Sequence, residues 1–333
     1  MVYILVLNWN DWESTRDCLD ALLKQDYPDY RLVVIDNGST DDVEGKLKKW
    51  FSVFDAEAGF ASYSRHEAEA GGRHDAGDTN RPRLVFIRNG ENLGYSGGNN
   101  VGLRYALAQG DLEYAWLLNN DTLPEEGALS ALVSCARQNG AAMAGSKLLY
   151  AHAPDTLQMA GGGMLWPAAG NALIIASGLK DDGRWDKPFS LDYVCGASLL
   201  VKKKVLHSVG LLDEAYFLYW EDADWGIRAR RAGFFKKLIY CPASRVLHKE
   251  GAGLTAGTEG GVISGKADYY WVRNGLFFTK RYYPWFLPIV PFAYLAKHTL
   301  IRLLKGQPLN LRAFLSGLFD FLAGKTGPRQ KFF

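Results

Sequence analysis

Cysteine is scarce in this chain. The 333 residues include four cysteines, Cys18, Cys135, Cys195 and Cys241, and their wide separation matches neither a zinc site nor a paired redox motif. A disulfide-dense secreted scaffold is excluded for the same reason. We therefore expect four reduced cysteines in the core of a cytosolic protein.

Long apolar runs free of charge or proline are also missing. Residues 1–7 are apolar but have no basic start and are too short for a signal peptide, so we expect a first strand there. Residues 282–304 form the longest apolar stretch, yet three prolines together with Lys297, His298 and Arg302 interrupt it. This composition argues against a simple spanning helix.

Acidic residues are nearly absent from the C-terminal part. Residues 271–333 hold ten Lys/Arg and one acid, a net charge of +9, whereas residues 1–270 hold 28 Lys/Arg and 35 acids, a net charge of −7. A basic, aromatic tail behind an acidic body favours an anionic membrane surface, bound peripherally, rather than nucleic acid. We expect this surface to be the inner face of the cytoplasmic membrane. A pair of helices packed on the domain is the alternative.

Apolar runs of strand type alternate with helical patterns through the first 150 residues. Strands are predicted at residues 2–7, 30–35, 83–87, 116–118, 141–150, 191–201 and 235–240, and helices at 14–25, 43–54, 101–107, 124–139 and 221–233. This alternation predicts an α/β fold with one Rossmann-like, mostly parallel sheet flanked by helices. Right-handed crossovers then place the carboxyl ends of the strands at one edge.

Two regions do not follow the alternation. Residues 55–82 are rich in Gly, Ala, His and acids without periodicity, and we interpret them as a mobile surface insertion without regular structure. A less regular region is expected from about residue 160 to 190. We predict a domain over residues 1–268 and a helical, membrane-associating appendage over residues 269–333.

The stretch Trp-Leu-Leu-Asn-Asn-Asp-Thr at residues 116–122 is a buried run that ends in two amides and a carboxylate. Such oxygen ligands, with no neighbouring Cys or His, suit Mg²⁺ or Mn²⁺ holding a diphosphate better than zinc. A strand followed by an ordinary Asn/Asp turn is the alternative.

Polar residues also end the first two strands. Asn8 follows the first, and Asp36 and Asn37 follow the second, where a fixed carboxylate can accept hydrogen bonds from a nucleoside. The Gly-rich turn at residues 94–100 precedes a helix and favours phosphate, although its spacing is not the dinucleotide fingerprint. An Asx turn and an ordinary glycine loop are the alternatives.

Glu221, Asp222 and Asp224 form the strongest acidic cluster. Three carboxylates within four residues repel one another unless a cation, a substrate or a helix N-terminus offsets them. A solvated helix cap is the alternative. His248 alone is more often structural, and gains importance only if the fold brings it near Asp121.

One further pattern resembles a phosphate-binding loop only in its spacing. Residues 260–266 have the spacing of a phosphate-binding loop, but Ala267 replaces the hydroxyl that would bind Mg²⁺ and no strand precedes them. We interpret this segment as a flexible loop.

The sequence contains five motifs in this order: Asn-Trp-Asn, Val-Ile-Asp-Asn-Gly-Ser-Thr-Asp, Asn-Leu-Gly-Tyr-Ser-Gly-Gly-Asn-Asn, Leu-Leu-Asn-Asn-Asp-Thr and Tyr-Trp-Glu-Asp-Ala-Asp-Trp. Together they resemble the motifs of the inverting family-2 glycosyltransferases of the GT-A fold, especially their rhamnosyltransferase-like branch. The resemblance spans roughly residues 1–250. It implies a hexosyltransferase that uses Mg²⁺ or Mn²⁺, a nucleoside diphosphate sugar and a glycan or polyprenyl-linked acceptor of the cell envelope. It favours deoxythymidine diphosphate rhamnose as donor, with a UDP-sugar as a second option.

The resemblance also implies roles for particular residues. Asp36 would recognise the base. The whole nucleotide-sugar site would comprise Asn8, Asp36, Asn37, Gly94, Ser96, Gly97, Asn99, Asn119 and Asn120.

The remaining roles fall on the acidic residues and one histidine. Asp121 would ligate the metal and His248 would complete its shell. Asp222 would be the catalytic base, with Glu221 and Asp224 orienting acceptor or base. The first position of the usual Asp-X-Asp motif is Asn119 here, a departure common in that branch. The pair Arg273-Asn274 matches one that precedes the basic tail in similar members.

Two other functions are compatible with parts of this sequence. A sugar nucleotidyltransferase also combines a nucleotide crevice with magnesium, but it needs a Gly-rich, basic N-terminal signature that Asn8-Trp9-Asn10 does not supply. A non-catalytic nucleotide or carbohydrate-binding module would need no base.

Overall fold

A computed structural model describes residues 1–54, 59–72, 82–249, 264–304, 306 and 310–329. The strands are β1 Val2–Asn8, β2 Tyr30–Asp36, β3 Phe60–Ser64, β4 Leu84–Arg88, β5 Tyr114–Asn119, β6 Thr122–Pro124, β7 Met143–Tyr150, β8 Ala153–Ala160, β9 Gly162–Trp166, β10 Asn171–Ile174, β11 Tyr193–Val194, β12 Ser198–Lys202 and β13 Leu238–His248. The helices are α1 Trp12–Leu22, α2 Val43–Phe54, α3 Arg65–Glu69, α4 Gly94–Ala108, α5 Ala128–Gln138, α6 Lys203–Val209, α7 Glu221–Ala229, α8 Gly265–Tyr282, α9 Val290–Leu304 and α10 Leu311–Leu322.

The large sheet has the strand order β3-β4-β2-β1-β5-β12-β7-β13-β6, with β8 beside β7. Strands β3, β4, β2, β1 and β5 are mutually parallel, and β12 is antiparallel to both of its neighbours. The predicted α/β fold with a mostly parallel sheet is confirmed. Asn8 is level with Asp36, and Leu7 with Asn119, so three strand ends meet at one edge.

Both faces of the sheet are covered. Along β1, Val2, Ile4 and Val6 pack into one apolar layer with α1, α2 and α5. Tyr3 and Leu5 point the other way, into a layer formed with α4, α6 and α7. Fully burying each such side chain stabilises the fold by about 1.5–3 kcal/mol, so the continuous apolar run of β1 specifies a central strand.

The segment that interrupts the alternation is partly regular. β3 pairs in parallel with β4 at the edge of the sheet, and α3 is capped by Ser64 and Glu67, each bonding the other's backbone amide. The expectation that residues 55–82 lack regular structure is therefore wrong for residues 60–69. Residues 55–58 and 73–81 lie outside the described residues. The region expected to be irregular, from about residue 160 to 190, also contains β9 and β10.

Two of the four cysteines are joined. Helix α5 packs on β13 and brings Cys135 and Cys241, 106 residues apart in sequence, to a Cα distance of 5.9 Å, where they form a disulfide. Cys18 and Cys195 are free. The expectation of four reduced cysteines is wrong for the bonded pair, because the sequence alone does not reveal this packing.

The C-terminal helices pack on the domain through one side. Val290, Tyr294 and Phe314 are buried in an apolar cluster with α7 and α8. Two basic residues of the tail, Arg273 and Arg302, are also buried, so its net charge overstates what reaches the surface. Within the described residues, none of the helices combines the length and apolar character needed to cross a bilayer.

The start of α8 corrects a further expectation. Ser264 caps the helix by accepting a hydrogen bond from the backbone amide of Ala267, and Gly265 and Lys266 are helical. The flexible loop predicted for residues 260–266 is therefore wrong for its last three residues. Residues 260–263 lie outside the described part of the chain.

Candidate active site

The strand ends are joined by a hydrogen-bond network. The Asn8 amide nitrogen donates to Asp36 Oδ1 at 3.1 Å, and Asn8 Oδ1 accepts from the Thr15 hydroxyl at 2.8 Å. Asn120 donates to the same hydroxyl at 3.1 Å. The network thus brings together three predicted residues, Asn8, Asp36 and Asn120. Thr15 was missed, since nothing in the pattern of α1 distinguishes it.

Asp121 and His248 face each other. Asp121 follows the tip of β5, and the pairing of β13 with β6 places His248 opposite Thr122. His248 Nε2 lies 3.0 Å from Asp121 Oδ1, and both side chains are largely buried. The fold therefore brings His248 near Asp121, which is the arrangement that makes a functional role for His248 worth considering. On its other side His248 Nδ1 lies 2.8 Å from Gln158 Oε1 of β8.

This pair fits a divalent cation. A carboxylate oxygen and an imidazole nitrogen lie within reach of one ion, and Gln158 orients the ring as outer-shell partners of metal-bound histidines do. Within the described residues, no group of three or more His, Cys, Asp or Glu side chains could hold a metal. An ion here would need further ligands from a diphosphate and water, which is how Mg²⁺ is commonly bound.

The acidic cluster opens helix α7. Asp222 Oδ1 accepts a hydrogen bond from the Ala223 amide at 2.7 Å, and Oδ2 lies 3.4 Å from the Gly196 amide. Burial raises the pKa of Asp222 to about 6, although part of the side chain still reaches solvent. Burial, and then the charge of Asp222, raise the pKa of Glu221 well above its usual range. Glu221 Oε2 has no hydrogen-bond partner among the described residues.

We refer to the region between the end of β5 and the start of α7 as the cleft, and one short segment contacts both of its sides. The Asn119 amide at the tip of β5 donates to the Ala197 carbonyl at 3.1 Å, while the adjacent Gly196 amide faces Asp222. The Tyr95 hydroxyl donates to the Gly196 carbonyl at 2.7 Å and steadies this segment. The end of β5 and the start of α7 therefore lie on either side of residues 196–197.

Asp224 faces away from this cleft. Its side chain is fully buried, and it accepts hydrogen bonds from Arg228 at 2.7 Å, Arg281 at 2.9 Å and the Tyr282 hydroxyl at 2.6 Å. The expectation that Asp224 orients an acceptor or the base is wrong, because the carboxylate is occupied by partners from α7 and α8. It ties these two helices together.

The Gly-rich turn packs against protein. The Gly94 amide donates to Asn92 Oδ1 at 2.8 Å and the Tyr95 amide to the Phe217 carbonyl at 2.7 Å, so the first amides of α4 are occupied. A Cβ at Gly94 would clash with that carbonyl. The interpretation of this turn as a phosphate cradle is wrong for these two amides.

The other residues predicted in or beside the turn are buried. Asn37 donates to the carbonyl of Gly94, the first residue of α4, at 3.0 Å. A Cβ at Gly97 would touch Leu93, and Asn99 donates to the Tyr95 carbonyl. These three are positioned as packing residues. Ser96 differs, since its buried Oγ has no partner in the described part of the chain. The sequence predicts a ligand-binding loop here because it does not show which residues pack against the turn.

Two curated relatives are similar in sequence. The low-salt glycan biosynthesis hexosyltransferase Agl10 of Haloferax volcanii is 26% identical over 150 residues, which cover 44% of this chain and 47% of that protein. An N-acetylglucosaminyl-diphospho-decaprenol L-rhamnosyltransferase of Mycobacterium tuberculosis is 28% identical over 187 residues, which cover 50% of this chain and 59% of that protein. The chain thus spans about half the length of the curated relatives it matches.

Solved structures share the fold. The mannosyltransferase PcManGT of Pyrobaculum calidifontis, in complex with GDP-Man and Mn²⁺, superposes with a TM-score of 0.55 at 14% identity over 97% of this chain and 87% of that one. S. aureus TarS in complex with UDP-GlcNAc gives a TM-score of 0.55 at 13% identity over 97% and 81%. At these identities the likeness establishes the GT-A fold alone.

The family assignment rests on a match to most of the chain. The profile described as "Glycosyl transferase family 2" matches residues 3–207, more than half of the chain and a span that includes the strand ends Asn8 and Asp36 and the metal-binding candidate Asp121. The chain therefore belongs to glycosyl transferase family 2.

Proposed function

We propose that this glycosyltransferase is metal-dependent and inverting, and that it transfers a sugar from a nucleoside diphosphate to an acceptor hydroxyl. The observation that carries the proposal is the placement of the Asp121–His248 pair and of Asp222 on either side of residues 196–197. The Asp121–His248 pair suits a diphosphate with its metal ion, and the position of Asp222 suits a general base.

The strand ends supply the nucleotide pocket in this proposal. Asn8 and Asp36 are held level by the register of β1 and β2, and Asn8 donates to Asp36, which fixes the carboxylate. A carboxylate held in this way can accept hydrogen bonds from a nucleobase or ribose. Asn119 and Asn120 line the neighbouring strand end.

Asp222 serves as the general base. With its pKa raised to about 6, it is ionised at pH 7–8 and yet more basic than an ordinary carboxylate. It takes the proton of the acceptor hydroxyl as that oxygen bonds to the anomeric carbon. The bond from this carbon to the diphosphate oxygen breaks on the opposite face, so the configuration inverts. A bound Mg²⁺ or Mn²⁺ would offset the charge of the departing diphosphate.

The donor we favour is deoxythymidine diphosphate rhamnose, with a UDP-sugar as the second option. The L-rhamnosyltransferase relative is named for a decaprenol-linked acceptor, and it supports a polyprenyl-linked or growing envelope glycan as the acceptor of this chain. A lipid-linked acceptor requires access to a membrane surface.

The C-terminal helices offer such a surface. The outward side of α9, α10 and the turn before them carries large apolar residues that are more than half exposed: Trp285, Ile289, Phe292, Leu300, Leu303, Leu304, Phe319 and Leu322. An apolar face of this kind on a basic tail suits an interfacial anchor on anionic lipid. The Asp320 carboxylate, held by Tyr269 and Lys325, does not add free negative charge.

Vesicle binding tests the anchor. Phe292→Asp and Phe319→Asp should each reduce cosedimentation with vesicles of anionic phospholipid, because each places a charge in the apolar face. Val53→Asp is the matched control, since Val53 is 79% exposed but lies on α2. Equal binding by all three variants and the wild type would argue against the anchor.

Donor binding and hydrolysis test the enzymatic proposal. A thermal-shift screen of nucleotide sugars with Mn²⁺ should identify the donor, since ligand binding raises stability by mass action. Without acceptor, slow metal-dependent release of the nucleoside diphosphate is expected. Binding without any release would indicate a non-catalytic module. Pyrophosphate-dependent formation of a nucleoside triphosphate from the sugar nucleotide would indicate a nucleotidyltransferase.

A further inference from the structure

The segment that leads into α7 has an unusual backbone. Phe217, Tyr219 and Trp220 all have positive φ, at 64°, 66° and 75°. Side chains with a Cβ rarely adopt this left-handed conformation, and it persists only where the surroundings over-determine it. Three such residues within four positions therefore require a strong external constraint.

Asn274 of α8 provides that constraint. It is fully buried, and its amide nitrogen lies 2.7 Å from the Tyr216 carbonyl, 2.7 Å from that of Leu218 and 3.2 Å from that of Tyr219. One side-chain amide thus gathers three carbonyls of the strained turn. The two amide hydrogens serve these three acceptors, so one contact is shared.

Arg273 holds the Asn274 amide in this orientation. Its Nε donates to Asn274 Oδ1 at 2.9 Å, which leaves the Asn274 nitrogen facing the turn. The Arg273 guanidinium is itself buried against the rings of Tyr269 and Tyr270 and donates to the Gly327 carbonyl at 2.8 Å. The two residues form one rigid unit within the C-terminal helices.

The opposite side of the turn touches the candidate active site. The Phe217 carbonyl accepts from the Tyr95 amide at 2.7 Å, and Tyr95 in turn holds Gly196, which faces Asp222. Trp220 directly precedes Glu221. Any relaxation of the turn would therefore displace the first turn of α7, including Asp222.

We propose that Asn274, oriented by Arg273, is a positioning residue that holds Phe217, Tyr219 and Trp220 in their left-handed conformation and thereby fixes Asp222 at the cleft. The C-terminal helices are then part of the catalytic apparatus and not only an anchor. The kinetic part of this inference rests on the proposed function, whereas its conformational part does not.

Asn274→Asp is the test, with Thr279→Val as matched control. Aspartate has the size of asparagine but turns a carboxylate toward three carbonyls. Thr279 is equally buried in α8, and its hydroxyl donates to the Gly275 carbonyl without touching the turn. Loss of tail packing alone would affect both variants.

Amide hydrogen exchange gives the readout that does not depend on activity. In Asn274→Asp, the amides of residues 217–224 and of Tyr95 should exchange at least about tenfold faster than in the wild type, since they report local opening. Thr279→Val should leave them unchanged. Asn274→Ser, which keeps one donor, should give an intermediate increase and serves if the aspartate variant does not fold.

Kinetics of nucleoside diphosphate release, measured with Mn²⁺ and the donor from the thermal-shift screen, give the second readout. Asn274→Asp should lower kcat about 100-fold, the loss that a misplacement of about 1 Å can cause, with Kd for the nucleoside diphosphate unchanged. Tyr219→Gly should lessen this loss, because glycine adopts positive φ without strain.

Three results would overturn the inference: unchanged exchange in Asn274→Asp, equal effects in Thr279→Val, or strictly additive effects of Asn274→Asp and Tyr219→Gly. Failure of the wild type to release nucleoside diphosphate would instead refute the proposed function, and the exchange experiment would still decide the role of Asn274.

Discussion

Replacing Asp222 by asparagine should abolish turnover and at the same time stabilise the fold. The folded protein raises the pKa of this carboxyl from 3.8 to about 6, chiefly by burial. At about 1.36 kcal/mol per pH unit, a shift of roughly two units corresponds to about 3 kcal/mol. Because part of the side chain reaches solvent, we expect about 1–2 kcal/mol to be realised. Asparagine keeps the shape and carries no charge.

The sign of the pH dependence follows from proton binding. The unfolded carboxyl ionises near pH 3.8 and the folded one only near 6, so the folded state holds more protons between these values. Unfolding free energy therefore falls as pH rises through this window, and the loss persists above it. Asp222→Asn escapes this loss. Its advantage over the wild type should be near zero below about pH 4 and largest above pH 7.

Two measurements test this reasoning together. Denaturant unfolding at pH 4.5 and pH 8 should show a larger stability gain for Asp222→Asn at pH 8. Donor hydrolysis by the wild type should rise with pH through about 6, and the variant should lose ~10²–10⁴-fold in rate while retaining donor binding. A variant that is less stable than the wild type at pH 8, or a wild-type rate that is flat from pH 5 to 8, would refute the assignment.

Three further predictions concern Glu221, the metal-binding candidates and the disulfide. Glu221→Gln should retain a rate within a few-fold of the wild type, because burial and the charge of Asp222 raise the pKa of Glu221 well above its usual range and glutamine is the neutral isostere of a protonated glutamate. A loss as large as that from replacing the base would contradict this. Asp121→Asn and His248→Ala should each weaken Mn²⁺-dependent binding of nucleoside diphosphate by at least about tenfold, as measured by calorimetry. Binding without metal should be unchanged in both variants. An equal loss in both conditions would argue for misfolding. Thiol titration of the denatured, unreduced chain should find two thiols, not four, because Cys135 and Cys241 are bonded; four thiols would show that the disulfide does not form.

Much of the sheet follows from local pattern. The helix predicted at residues 43–54 coincides with α2, and the strand predicted at residues 30–35 is β2 with Asp36 added. Apolar runs bounded by turn residues encode these elements directly, since a buried strand must be apolar on both faces. The alignment of Asn8 with Asp36 then follows from parallel pairing.

Part of the arrangement of the acidic cluster follows from helix geometry alone. Asp222 and Asp224 are two residues apart on a helix, about 200° around its axis, so they had to face opposite sides. The sequence does not state which side meets the cleft. Helix α8 decides this, because its Arg281 and Tyr282 side chains donate hydrogen bonds to Asp224.

The sequence by itself determined the α/β class, the strand ends that carry Asn8, Asp36 and Asp121, and the family motifs, because each is written in a few consecutive residues. Only the tertiary structure decided which of these groups meet. The contact of His248 with Asp121 joins residues 127 positions apart, and the hold of Asn274 on the turn before α7 joins residues 55–58 positions apart. Such contacts depend on strand pairing and helix packing across the whole chain, which no short window of sequence contains.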